Sequence, residues 1–158
     1  MSSNRIYVDC DAMPRPLKDV LVKVAARARI EVCFVAAHAP RIEGGSGFIR
    51  CVAAGGAFNG ADDWIAEHAE AEDLVITADI PLADRALKKH AEVLGAKGEY
   101  FTQANISNAM AMRELLDELR AAGEITGGPA PFSDRQRIEF TDALNRWVQK
   151  HMQKDKVK

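Results

Sequence analysis

Short apolar runs rich in β-branched residues alternate along the chain with stretches of helical period. Arg5 to Asp9 predicts a first strand. Pro14 and Pro16 then suit a first helical turn, and Leu17, Val20, Leu21, Val24 and Ala28 recur on one helix face. Glu31 to Ala36 and Phe48 to Ala53 predict two more strands, separated by a loop at Gly44-Gly45-Ser46-Gly47. Ala61, Trp64, Ile65 and His68 line a second helix. The continuous run Asp73 to Thr77 predicts a strand buried on both faces. Pro81 opens a third helix through Leu87 and His90, and a weaker strand follows at Val93 to Lys97. Met112, Leu115, Leu116 and Leu119 mark a fourth helix closed by Gly123. Gly127-Gly128-Pro129 and Pro131 form a connector. Ser133 caps a last helix with Phe140, Leu144, Trp147 and Val148 on its core face.

This alternation predicts a three-layer α/β/α fold with a mostly parallel sheet. Residues 1–150 read as one domain, and 151–158 as a frayed basic tail. In such sheets ligands bind beyond the carboxyl ends of strands, where strand order reverses. The residues at those places are acidic: Asp9 and Asp11 after the first strand, Asp62 and Asp63 at a helix start, Asp79 and Asp84 after the fourth strand. Neighbouring strand ends lie roughly 5 Å apart. Carboxylates that close repel unless a cation sits between them, and hard oxygen donors suit Mg²⁺ or Mn²⁺.

Helix capping is the competing explanation for these acids. With Pro81 at the first helical position, the cap falls on Ile80 and Asp79 comes one residue too early. Pro14 likewise puts Met13, not Asp11, at a cap. Asp62 fits capping better, through Asn59-Gly60-Ala61-Asp62, and Asp63 suits a solvated first turn.

Asp9-Cys10-Asp11-Ala12-Met13-Pro14 resembles the Asp-x-Asp-Ala-x-Pro opening of the YaiI/YqxD family. Asn59-Gly60-Ala61-Asp62-Asp63-Trp64-Ile65 is similar to its middle motif, and Asp73 through Ala83 to its most distinctive stretch. Gly95-Ala96, Gly98, Asn105-Ile106, Met112-Arg113, Gly128-Pro129, Arg135, Arg137 and Phe140 continue the likeness over nearly the whole chain. That family in turn resembles PIN-like domains. The resemblance implies a nuclease-like site in which Asp9, Asp62, Thr77 with Asp79, and Asp84 take the acidic positions, with Asp11 beside Asp9. The likeness has two departures. Many members carry Asp where Asn59 stands, and an amide ligates without adding charge. Asp84 is not a fixed part of the family pattern.

The resemblance implies a Mg²⁺- or Mn²⁺-dependent phosphodiesterase acting on RNA or single-stranded nucleic acid. Its catalytic residues would be Asp9, Asp79 and Asp62, and its metal ligands Asp9, Asp11, Asp62, Asp79 and Asp84. Thr77, Asn59, Arg113 and Arg137 would meet the substrate. Thr77 reads equally as a hydroxyl that orients Asp79 and as an ordinary strand residue. For Arg113, Arg120, Arg135 and Arg137, phosphate clamps compete with surface ion pairs to Glu114, Asp117 or Asp134. His38 reads as a loop residue, His68 as a packed or edge residue, and His90 and His151 as surface residues. Trp64 and Trp147 sit at core spacing.

Two other classes remain open. Asp9-x-Asp11 also resembles the opening of haloacid-dehalogenase-type phosphatases, although the later motifs come in the wrong order. A non-catalytic RNA- or protein-binding domain with a degenerate acidic site is the third reading.

Composition narrows the partners. Twenty-one Lys+Arg against 23 Asp+Glu give a formal charge of −2 over 158 residues, which argues against a coat for nucleic acid and leaves room only for a local basic patch. No apolar run is long enough for a membrane helix, and the pattern fixes no oligomeric state. Cys10, Cys33 and Cys51 lack metal-knuckle spacing and read as small hydrophobes, two of them in buried strands. The chain is expected to be cytoplasmic.

Overall fold

The computed structural model describes residues 4–38, 42, 47–55, 60–125 and 132–157, the last six as backbone alone. Asn59, the glycines of the 44–46 loop and the 127–131 connector lie outside the described residues.

Six strands form one sheet: β1 (Ile6–Asp9), β2 (Val32–Ala36), β3 (Ile49–Ala53), β4 (Leu74–Ile76), β5 (Glu92–Leu94) and β6 (Tyr100–Phe101). Their order is β3-β2-β1-β4-β5-β6, parallel throughout except for β6, which runs antiparallel to β5. The helices are α1 (Pro16–Ala28), α2 (Gly60–His68), α3 (Ile80–Lys88), α4 (Ile106–Ala121) and α5 (Asp134–Val157).

The alternation of the strands sorts these helices into two layers. Ile6 and Val8 of β1 face one side, where Leu17 and Leu21 of α1 and Phe140, Leu144 and Trp147 of α5 close over them. Tyr7 faces the other side with Cys33 and Val75, under Ile65 of α2 and Leu82 and Ala86 of α3. The central strands β1, β2 and β4 are buried along their whole length, as two-sided packing of a parallel sheet requires. The result is a three-layer α/β/α arrangement. No helix among the described residues is long and apolar enough to cross a membrane.

The order of the strands positions the candidate site. From β1 the chain moves outward through β2 to β3, then returns through α2 to lay β4 on the other side of β1. Strand order thus reverses between β1 and β4, and the connections leaving their carboxyl ends diverge there.

Several local expectations change. The first helix starts at Pro16 rather than Pro14. A 3-10 turn over Cys10–Ala12 intervenes, and the Pro14 carbonyl accepts the Leu17 N–H at 3.2 Å. β6 was not foreseen, because two residues carry no periodicity. The fourth helix forms, but its stripe is not core. Met112 and Leu115 are 55% and 47% exposed, since α4 follows the edge strand, packs on α3 and buries only Ile106.

Cys51 is exposed because β3 is an edge strand, which corrects its reading as a buried residue. Cys33 is buried as expected. Burial pushes the Cys10 and Cys33 thiols up to about 12 and 11, away from thiolate chemistry. The backbone of α5 continues through His151 to Val157. His151 itself is only 6% exposed. It stacks on Trp147 at 3.9 Å, so it is a packed residue rather than a surface one.

Candidate functional site

Asp9 is the last residue of β1 and is 1% exposed. Thr77, just past β4, is fully buried beside it. The Thr77 hydroxyl donates to Asp9 Oδ2 at 2.9 Å and accepts the Asp79 N–H at 2.9 Å. One side chain thus joins the two acids across the strand pair and uses both of its capacities in doing so. Asp9 Oδ1, equally buried, has no hydrogen-bond partner.

Asp79 is the N-cap of α3. Its Oδ1 accepts the Leu82 N–H at 3.1 Å, with Pro81 at the second helical position. This corrects the expectation that capping explains Asp79 poorly. Proline is tolerated throughout the first turn, where its missing N–H costs nothing, so Pro81 does not fix the helix start to one residue. Asp11 leaves the 3-10 turn, and its Oδ2 accepts the Ala37 N–H at 2.9 Å, which ties the end of β2 to the site.

Asp62 arrives from the first turn of α2 and lines the same cavity as Asp79 and Asp9. Gly60 sets that helix start. A Cβ there would stand 2.8 Å from the Gly55 carbonyl oxygen, so only glycine lets α2 lie this close to the chain leaving β3.

Together these residues enclose a cavity of about 170 Å³. Asp9, Asp11, Asp62 and Asp79 line it, with the small residues Ala12, Ala37, Gly60 and Ala61 between them, and among the described residues no Lys, Arg or His does. The electrostatic consequence is a retained proton. Loss of water, then contact with Asp79 and its charge, then the charge of Asp9, push Asp62 up to about 7. Burial also raises Asp9 above the usual carboxylate range. The Thr77 hydrogen bond opposes that rise, and the charges of Asp79 and Asp11 add to it.

Among the described residues no three His, Cys, Asp or Glu side chains stand ready as a metal-ligand set. The donor chemistry and the orphaned Asp9 Oδ1 fit a hard cation that draws the carboxylates together.

The remaining sequence candidates lie elsewhere. Asp84 pairs with Lys88 one turn along α3 at 3.0 Å, and the cavity lining does not include it. Asp63 pairs with Arg85 at 2.8 Å on the surface. Arg113 is exposed on α4 with Asp117 at 3.9 Å, and Arg137 is exposed on α5; neither lines the cavity. Thr77 is too deeply buried to meet a substrate and acts instead on the orientation of Asp9 and Asp79. His38 is exposed, as is His68, which stacks on Trp64 at 3.8 Å. The Ala37 N–H and the tight Gly60 approach were missed. The first carries no side-chain signal; the second was signalled only by a glycine at a helix start.

A model of the family described as "Uncharacterized BCR, YaiI/YqxD family" matches residues 7–150. The chain belongs to the YaiI/YqxD family. A "UPF0178 protein" from Rhodopseudomonas palustris (strain BisB18) is 45% identical over 157 residues, covering 99% of each chain. Another from Marinobacter nauticus is 43% identical over 149 residues, covering 94% of this chain and 99% of the relative. A third, from Shewanella woodyi, is 43% identical over 147 residues, covering 93% and 97%. No solved structure matches the chain. In this YaiI/YqxD chain the matched span takes in both arms of the crevice, Asp9 to Asp11 and Asp62 to Asp79.

Proposed function

We propose that this YaiI/YqxD chain is a PIN-like, metal-dependent phosphodiesterase that cleaves RNA or another single-stranded nucleic acid. The observation that carries the reading is the buried, unpartnered Asp9 Oδ1, on an acid that shares its cavity with three further carboxylates and, among the described residues, no cationic side chain. Asp9 and Asp79 would hold Mg²⁺ or Mn²⁺, with Asp62 and Asp11 completing the acidic ring. When bound, such an ion supplies an acidified water and neutralises charge on a phosphoryl oxygen.

The residues divide the remaining work. Thr77 fixes Asp9 through Oδ2 and leaves Oδ1 without a hydrogen-bond partner. Asp79 is held by its own cap bond to Leu82, so the helix start and the acid move as one. Asp62, with a proton affinity near neutrality, takes the proton of the attacking water as its oxygen bonds to phosphorus and the phosphorus–ester bond opens. The departing oxygen takes a proton from solvent. Small residues around the acids leave room for a phosphodiester rather than a bulky side chain.

The test is cleavage of a pool of fluorescent single-stranded RNAs in MnCl₂, with Asp79→Asn and Asp9→Asn in parallel. Cleavage by the wild type alone supports the reading, and full activity in both variants overturns it. One observation favours a second reading, a non-catalytic RNA- or protein-binding domain: Arg113 and Arg137 stand outside the cavity, so among the described residues no clamp for a phosphate chain is built beside the acids. RNA retained without turnover in saturating Mn²⁺, and unaffected by Asp79→Asn, would establish it.

A further inference from the structure

A second hollow opens at the far edge of the sheet, around the amino end of β5 and along β6. Its volume is about 480 Å³, inside the roughly 300–1,000 Å³ typical of small-molecule sites. Leu87, Ala91, Val93, Phe101 and Trp147 give it an apolar, aromatic wall.

Its charge is the reverse of the crevice. Arg146 and Lys150, one turn apart on α5, stand on its lining, and neither forms an ion pair among the described residues. Among the described residues Glu92 is the one acid on that lining. Its Oε2 accepts the Trp147 Nε1–H at 2.7 Å and has the His151 Nε2 at 3.8 Å, while the side chain stays 38% exposed, so the two cations outnumber one partly engaged carboxylate.

The edge strand offers little to an extended peptide. β6 is two residues long, and the Asn105 side chain already donates to the Tyr100 carbonyl at 3.0 Å. Aromatic walls with cations beside them select a flat ring that carries negative charge.

We infer that this hollow is a binding site for a small aromatic anion, one or two fused rings bearing a carboxylate or phosphate. The ring lies against Phe101, close to the buried Trp147, and the acid group meets Lys150 and Arg146. The site is independent of the phosphodiesterase reading and stands whether or not the chain cleaves RNA. Arg146 also borders a neighbouring hollow with Glu139 and Asp142, so Lys150 is the cleaner probe of charge.

The chain has two tryptophans, so Trp64→Phe leaves Trp147 as the only reporter. That protein is titrated with 2-naphthoate, with neutral 2-naphthamide and with adenosine 5′-monophosphate. Saturable quenching of Trp147 by 2-naphthoate at one site is expected, with 2-naphthamide about tenfold weaker. Lys150→Glu weakens the naphthoate by about tenfold at an unchanged melting temperature. If that variant melts early, Lys150→Gln is read in its place, with a smaller loss. The inference is overturned if neither acid saturates, if 2-naphthamide binds as well as 2-naphthoate, or if both Lys150 variants keep wild-type affinity.

Discussion

The two hollows of this molecule handle charge in opposite ways. At the carboxyl ends of β1 and β4, four carboxylates share about 170 Å³ with no cationic side chain among the described residues on the lining, and one of them keeps its proton to about pH 7. Along β6, one Glu92 oxygen is engaged by Trp147, while two cations on the lining form no ion pair among the described residues. The first site is under electrostatic tension that a proton or cation relieves. The second is relaxed and asks only for an anion. Topology explains the difference. The crevice lies where strand order reverses and several chain segments converge, whereas the hollow lies where the sheet ends in two residues of strand.

The largest effect expected of this contrast is on catalysis. Asp9→Asn and Asp79→Asn should each lower RNA cleavage by more than the roughly 10–100-fold that loss of an outer-shell partner costs. Both variants should fold, since Asn caps a helix about as well as Asp and can still accept the Thr77 hydroxyl. Normal melting beside lost cleavage would confirm tension without structural dependence; retained cleavage would break the contrast.

Next comes the bridge between the acids. Thr77→Val strands Asp9 Oδ2 and the Asp79 N–H in a buried place. It should cost about 1–3 kcal/mol, read as a fall of about 2–4 °C per kcal/mol in thermal melts. Thr77→Ser should recover most of it.

The tension itself is visible in pH. The folded pKa of Asp62 is about 7 against 3.8 for an aspartate free in water. Below 3.8 both states hold the proton and nothing is lost. Between the two values only the folded state holds it, so stability falls as pH rises, and the full penalty is in place above 7. For a half-exposed group this amounts to about 1–2 kcal/mol after solvent screening. Asp62→Asn should flatten the profile and stabilise the protein at pH 8. An unchanged slope would place the tension elsewhere.

The smallest expected effect lies on the other side of the comparison. Lys150→Glu changes an exposed residue with no ion pair among the described residues and should move stability by under about 0.5 kcal/mol. A larger fall in the melting temperature would mean that the hollow, too, is held under tension.

Much of this arrangement is legible in the chain, because local pattern carries it. The runs ending at Asp9 and Thr77 name the two central strands, and the acids follow them directly. What pattern misses is non-local or too short. Trp147 meets Glu92 across 55 residues, and nothing in either neighbourhood announces it. β6 has two residues, and His151 is buried by a ring one turn away rather than by an apolar run. Asp84 is suggested by its distance from β4 and Arg113 by its place in a motif, and both locate a backbone without saying which way a side chain points. Asp79 reads as lying outside the cap yet caps α3, because proline marks a first turn, not a first residue.

The hydrogen bond from Thr77 to Asp9 spans 68 residues of sequence. During synthesis, β1 leaves the ribosome long before its partner β4 exists, and it can pair only with β2. The acidic cluster is therefore absent from the nascent chain and forms in one late, long-range docking step, of the kind whose loop-closure entropy slows folding. Like charges meet only then, when the rest of the central sheet is ready to hold them together.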